Sequence, residues 1–122
     1  MSAEMDKLDM SGRLKVQVDY YVISDTENFT NAYEKLVYVI LCKYANWSTK
    51  EAFPSVGTIA KEAFCSENTV RKALRSLRDI GLIAIEPQNK SSGGQTSNLY
   101  VLLDIPESFA RGSPHEGGGF TS

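Results

Sequence analysis

The sequence predicts an α+β fold of three helices followed by a small β-hairpin. Three observations carry that expectation. Apolar residues recur at helical spacing in three separate segments between positions 31 and 80. The second and third of these segments are separated by a break of only two or three residues. Two β-like runs, 82–86 and 98–103, then flank a polar loop containing Gly93-Gly94.

The elements follow in chain order. Residues 1–14 are polar and are expected to be disordered. Lys15 to Ile23 is rich in β-formers and begins with alternation, which predicts a short strand or extended arm. Ser24 to Phe29 reads as a polar turn. The first helix spans 31–45, with the Thr30 hydroxyl as its expected N-cap. Its apolar face comprises Tyr33, Leu36, Val37, Ile40, Leu41 and Tyr44. A loop with the single tryptophan, Trp47, follows, and Ala52-Phe53 suits a short strand. After Pro54, Ser55 caps a short second helix whose stripe is Val56, Ile59, Ala60 and Ala63. Ser66 caps a third helix running to Ile80, with Val70, Ala73, Leu74 and Leu77 inward, and Gly81 supplies a left-handed terminus. From Pro106 onward Ser, Gly and Pro dominate, which predicts a flexible tail. The expected organisation is a disordered start at 1–14, one folded domain at 15–105 and a tail or linker at 106–122.

Composition narrows the function. With 122 residues, 42% hydrophobic and 23% charged, the chain suits one globular domain with its own core. No apolar run reaches the roughly 18 residues of a membrane-spanning helix, so no membrane partner is expected. The acidic start lacks the order of a signal peptide, and two cysteines, Cys42 and Cys65, make no secreted framework. A cytoplasmic protein with reduced thiols is expected. The only histidine, His115, lies in the tail, and the cysteines lack zinc-ligand spacing. No phosphate-binding glycine loop precedes a helix. The sequence therefore points away from an enzyme and implies no cofactor and no metal.

The net charge of −2 offers no overall attraction to polyanions, but its distribution is uneven. Residues 55–100 carry +2, and four of their six basic residues fall between Arg71 and Arg78. A helix, a tight turn and a second helix that offers a basic outer face form a helix-turn-helix, which presents its last helix to the DNA major groove. On that outer face, Asn68 and Arg71 could pair bidentately with adenine and guanine, and Glu67 could accept from a cytosine amino group. Lys72, Arg75 and Arg78 suit phosphates, as do the Ser66 and Thr69 hydroxyls at the positive end of the helix dipole. Ser55, heading the preceding helix, joins the candidate contacts. In the hairpin loop Lys90, Gln95 and Thr96, with Ser91 and Ser92, are placed to touch the backbone or minor groove. The plainer alternatives stay open. Arg75 and Arg78 also suit a solvated face that complements the dipole, Glu67 and Asn68 are ordinary first-turn residues, and the loop suits a soluble tip. Asn98 is expected to tie the loop to backbone groups.

From Pro54 to Tyr100, the ordered pieces Pro-Ser-Val-Gly-Thr-Ile-Ala-Lys, Cys-Ser-Glu-Asn-Thr-Val-Arg-Lys-Ala-Leu-Arg-Ser-Leu, Gly-Leu-Ile and Gly-Gly-Gln-Thr-Ser-Asn-Leu-Tyr carry a family likeness. This stretch resembles the winged helix-turn-helix domain of phage and plasmid replication initiators. It is also similar to the DNA-binding half of GntR-type repressors. The resemblance implies three helices with a two- to three-stranded hairpin wing. It implies that residues 66–75 enter the major groove of double-stranded DNA and that 90–96 lie along the backbone. Many members have Gly in the turn where this chain has Phe64, so a different turn path is expected. Gly112 to Gly119 is similar to linkers that lead to a C-terminal region contacting replication proteins. A second copy of the chain is a further partner the reading allows. Transcriptional repression, and a winged helix used for protein–protein contact or dimerisation, are the competing functions.

Overall fold

The computed structural model describes residues 15–87 and 98–110. Five helices and three strands occur there in the order α1 (Tyr20–Ser24), α2 (Ala32–Tyr44), β1 (Glu51–Ala52), α3 (Val56–Ala63), α4 (Glu67–Ile80), β2 (Ile83–Glu86), β3 (Leu99–Leu102) and α5 (Glu107–Ala110). The fold is an α+β winged helix-turn-helix, as the periodicities predict. Helices α2, α3 and α4 pack on one another, and α2 and α4 also pack on a three-stranded antiparallel sheet of order β1-β3-β2. Strand β3 is central because both neighbours pair with it, Ala52 opposite Tyr100 and Ile85 opposite the same residue. Tyr100 thus lies at the sheet's middle and is fully buried. Burial pushes its hydroxyl pKa up, while a hydrogen bond with Asn98 pulls the other way. Asn98 therefore meets a side chain, Tyr100, as well as lying at the strand's entry.

The core sits where the inner faces of the three helices meet the sheet. Val37 and Leu41 from α2, Ile59 from α3, Val70 and Leu77 from α4, and Leu82 and Ile83 beside the sheet are all essentially inaccessible. Each matches an apolar position of its segment's period. Gly81, at φ 99°, closes α4 by donating to the Leu77 and Arg78 carbonyls, and Leu82 N–H reaches back to Leu77. This is the paired-bond termination that favours a residue without Cβ.

Several local expectations need correction. The segment 15–23 forms no strand: residues 15–19 are irregular, and 20–24 make a helical turn. The Asp19 carboxylate accepts from Tyr21 N–H at 2.8 Å and heads that turn, and Lys35 Nζ donates to the Ile23 carbonyl at 2.8 Å near its end. The turn places Val22 in the core and leaves Tyr20 and Ile23 exposed. Local satisfaction of backbone groups replaces the ladder a strand would need.

The N-cap of α2 is Asn31 rather than Thr30: Asn31 Oδ1 accepts from Glu34 N–H at 3.1 Å. Glu34 is buried at 2% exposure, and its two oxygens accept from Thr30 N–H and Thr30 Oγ1 at 2.9 and 2.7 Å. The reciprocal arrangement resembles a capping box shifted by one residue. The inner face of α2 also rotates. Tyr38 and Cys42 are buried, whereas Tyr33 and Leu36 are exposed.

The short first strand is Glu51–Ala52, one residue earlier than Ala52-Phe53, and Phe53 is exposed. The turn before it is fixed by Asn46, whose side-chain oxygen accepts from Ser48 and Thr49 N–H. Beyond residue 105, α5 follows at Glu107–Ala110. Phe109, on α5, is 5% exposed and meets the Phe29 ring edge-on at 5.8 Å. A single aromatic side chain is enough to dock this turn, and composition, dominated by Gly and Ser further on, concealed it.

Candidate nucleic-acid interface

Helices α3 and α4 are joined by Phe64, Cys65 and Ser66 alone. Both are headed by the same device. Ser55 Oγ accepts from Thr58 N–H at 3.0 Å and donates to Thr58 Oγ1 at 3.0 Å. Ser66 Oγ accepts from Thr69 N–H at 3.1 Å and lies 3.0 Å from Thr69 Oγ1. Each serine therefore ties up one orphan helix donor while its hydroxyl stays exposed.

The two leading ends lie close together. A Cβ built on Gly57 would come within 3.3 Å of Glu67 Oε2 and 3.8 Å of Ser55 Oγ. Ser55, at the start of α3, and Glu67, at the start of α4, thus border one patch, and the missing side chain at Gly57 leaves room for the carboxylate. The sequence reading gave Gly57 no role. A lone glycine inside a helical pattern was the available signal.

On α4, Val70, Ala73, Leu74 and Leu77 are buried, while Asn68, Arg71, Lys72, Arg75 and Arg78 are exposed. That is the division the spacing predicts. Arg71 Nη2 contacts Glu67 Oε1 at 3.1 Å across one helical turn, with both side chains about half exposed (52% and 54%). Arg78 pairs with its neighbour Asp79 at 3.3 Å. Among the described residues Lys72 and Arg75 form no ion pair. Among the described residues, then, Arg71 and Arg78 meet only exposed neighbouring acids, and Lys72 and Arg75 stay open to solvent. The Glu67–Arg71 pair was legible in the i,i+4 spacing, and exposed pairs of this kind contribute only about 0.3–0.5 kcal/mol. Arg71 is thus free to exchange Glu67 for another acceptor at small cost.

A polar clasp links α3 to α2. Lys43 Nζ contacts Glu62 Oε1 at 2.8 Å, the Tyr44 hydroxyl donates to Glu62 Oε2, and Lys43 lies 4.8 Å from the Tyr44 ring centre. The hydrogen bond from Lys43, then that from Tyr44, holds the Glu62 carboxyl below its ordinary range. Lys90, Gln95 and Thr96, with Ser91 and Ser92, lie outside the described residues. What is described is their anchorage: β2 and β3 pair as far as Glu86 opposite Leu99.

Residues 31–83 match the protein family described as a helix-turn-helix domain. The match starts at the Asn31 cap of α2 and ends at the first residue of β2, so it spans the three packed helices and the tight turn. The match supports a DNA-binding domain of this class over that span. No curated protein and no solved structure matches the chain. In this helix-turn-helix arrangement α3 is the first helix of the pair and α4 the second. Among the described residues no three His, Cys, Asp or Glu side chains gather as a metal site, and no helix is long and apolar enough to cross a membrane.

Proposed function

We propose that the domain binds double-stranded DNA by laying α4 in the major groove, and that it does so as a binding module with no cofactor. The observation that carries this reading is the uncovered ridge of Asn68, Arg71, Lys72 and Arg75 on a helix that follows a three-residue turn. A helix with its side chains is about 10–12 Å across, which suits a major groove about 12 Å wide. Asn68 and Arg71, near the leading end, are assigned to base edges, while Lys72 and Arg75 are assigned to phosphates. Ser55, Ser66 and Thr69 meet the backbone at the two helix starts. Lys90, Gln95 and Thr96, between β2 and β3, are assigned to the backbone beside the groove.

Within DNA binding, initiation of phage or plasmid replication in the cytoplasm is the reading favoured. Its support is the likeness of the 54–100 motifs to replication initiators and the Gly-rich composition of 112–119. Selection of bound duplexes from a random pool tests it. Recovery of tandem repeats is expected for an origin array. A palindrome would replace that reading with a repressor-like homodimer, and recovery of no duplex would remove DNA binding altogether.

A further inference from the structure

Phe64 is the anomaly of the turn. It terminates α3 in the left-handed region, at φ 57°, and is 91% exposed. Its backbone arrangement repeats that at Gly81. Phe64 N–H donates to the Ala60 and Lys61 carbonyls, and Cys65 N–H reaches back to Ala60, as Leu82 N–H does to Leu77. The same termination thus uses glycine after α4 and phenylalanine after α3. Left-handed backbone is sterically costly for a residue with Cβ, most of all for a bulky one. The ring recovers none of that cost within the domain, since nearly all of its surface stays in water. A costly conformation combined with an unburied aromatic is the pattern of a side chain kept for contact outside the fold. Its position says with what. Phe64 lies two residues before Ser66, the cap of the recognition helix, and so beside the end of α4 that leads into the groove.

We propose that Phe64 is a DNA-contacting residue, whose ring packs against the apolar surface of the duplex at the groove edge, namely deoxyribose carbons or a thymine methyl group. This rests on the duplex-binding reading above and adds to it an uncharged contact supplied by the turn. Because the ring displaces no counterions, its contribution is independent of salt, unlike that of the basic ridge.

The test compares wild type, Phe64→Gly and Phe64→Asn by fluorescence anisotropy on a labelled random-sequence duplex, with melting temperatures measured alongside. Both replacements tolerate the left-handed backbone, so neither is expected to melt below wild type. Both are expected to lose affinity by about three- to tenfold, with the salt slope unchanged. A copy of the duplex carrying deoxyuridine for thymidine separates the two surfaces. If the methyl is the contact, wild type weakens on that copy and Phe64→Gly does not. If the sugar is the contact, the copy changes neither protein. Variants that melt like wild type and bind like wild type would overturn the contact while leaving duplex binding intact. Failure of wild type itself to bind any duplex would instead remove the underlying reading.

Discussion

Arg71 shows how one side chain can be both tethered and available. Its guanidinium leans on Glu67 at 3.1 Å, yet the pair is half exposed and worth little in water. In a duplex groove the same guanidinium gains two acceptors on a guanine edge, which outweigh one screened carboxylate. Replacing Arg71 with Ala is expected to cost about 1–3 kcal/mol of binding on a preferred site, measured by titration of that duplex, with little change in melting temperature. Gly81 gives the opposite case, a residue of the scaffold. At φ 99° any Cβ is strained, and one built there meets Pro106 Cγ at 3.4 Å. Gly81→Ala is expected to destabilise the fold by about 1 kcal/mol or more in urea unfolding, because no glycine-specific freedom remains to absorb the strain.

Among the elements, the contact between α2 and α3 is expected to respond to pH. Lys43 and then Tyr44 stabilise the ionised form of Glu62, so its folded-state pKa lies below the unfolded value. A carboxylate shifted in this direction contributes stability that is present above its unfolded pKa and is lost as pH falls through the folded one. Asp25 acts in the same sense. Desolvation pushes its pKa up, but hydrogen bonds from Asn28, Phe29 and Glu27 outweigh it and hold the pKa down. Melting temperature is therefore expected to fall on acidification below the ordinary carboxylate range. Glu62→Gln should melt lower than wild type at neutral pH, and the gap should close in acid. A gap that persisted unchanged into acid would show that the clasp acts by shape alone.

The whole domain depends on a residue near its far end. Phe109 is buried against Phe29, and large-to-small replacement of a buried Phe costs about 3–5 kcal/mol. Phe109→Ala should therefore lower the urea midpoint strongly, whereas a boundary at residue 105 would make the change neutral. Much of this organisation was legible in the sequence. The stripes of 56–63 and 66–80, the caps Ser55 and Ser66 and the terminal Gly81 all fall where the periodicity put them, because propensity, capping and burial agree in those segments. Disagreement marks the misses. Tyr20 to Ser24 has β-forming side chains but no strand to pair with, so Asp19 and Lys35 settle it as a helical turn. Asn31 displaced Thr30 because the buried Glu34 takes the threonine hydroxyl for itself. At the site, the outward face of α4 was readable from spacing, whereas the approach of Glu67 to Gly57 depends on how α3 and α4 cross. That crossing is a tertiary property without a local signal.

The open basic ridge on α4 is the account's central claim, and a salt titration of duplex binding addresses it most directly. Wild type and an Arg71→Ala, Arg75→Ala double variant would be titrated with one labelled duplex across a range of salt concentrations. Wild type is expected to weaken steeply as salt rises, with the phosphate-assigned residues of α4, Lys72 and Arg75, contributing about −2 to the log–log slope. The double variant is expected to bind at least roughly tenfold more weakly at low salt, with a slope flatter by about 1 for the lost Arg75 phosphate contact. Equal affinity and equal slope for the two proteins would contradict the assignment of α4 as the helix that meets DNA.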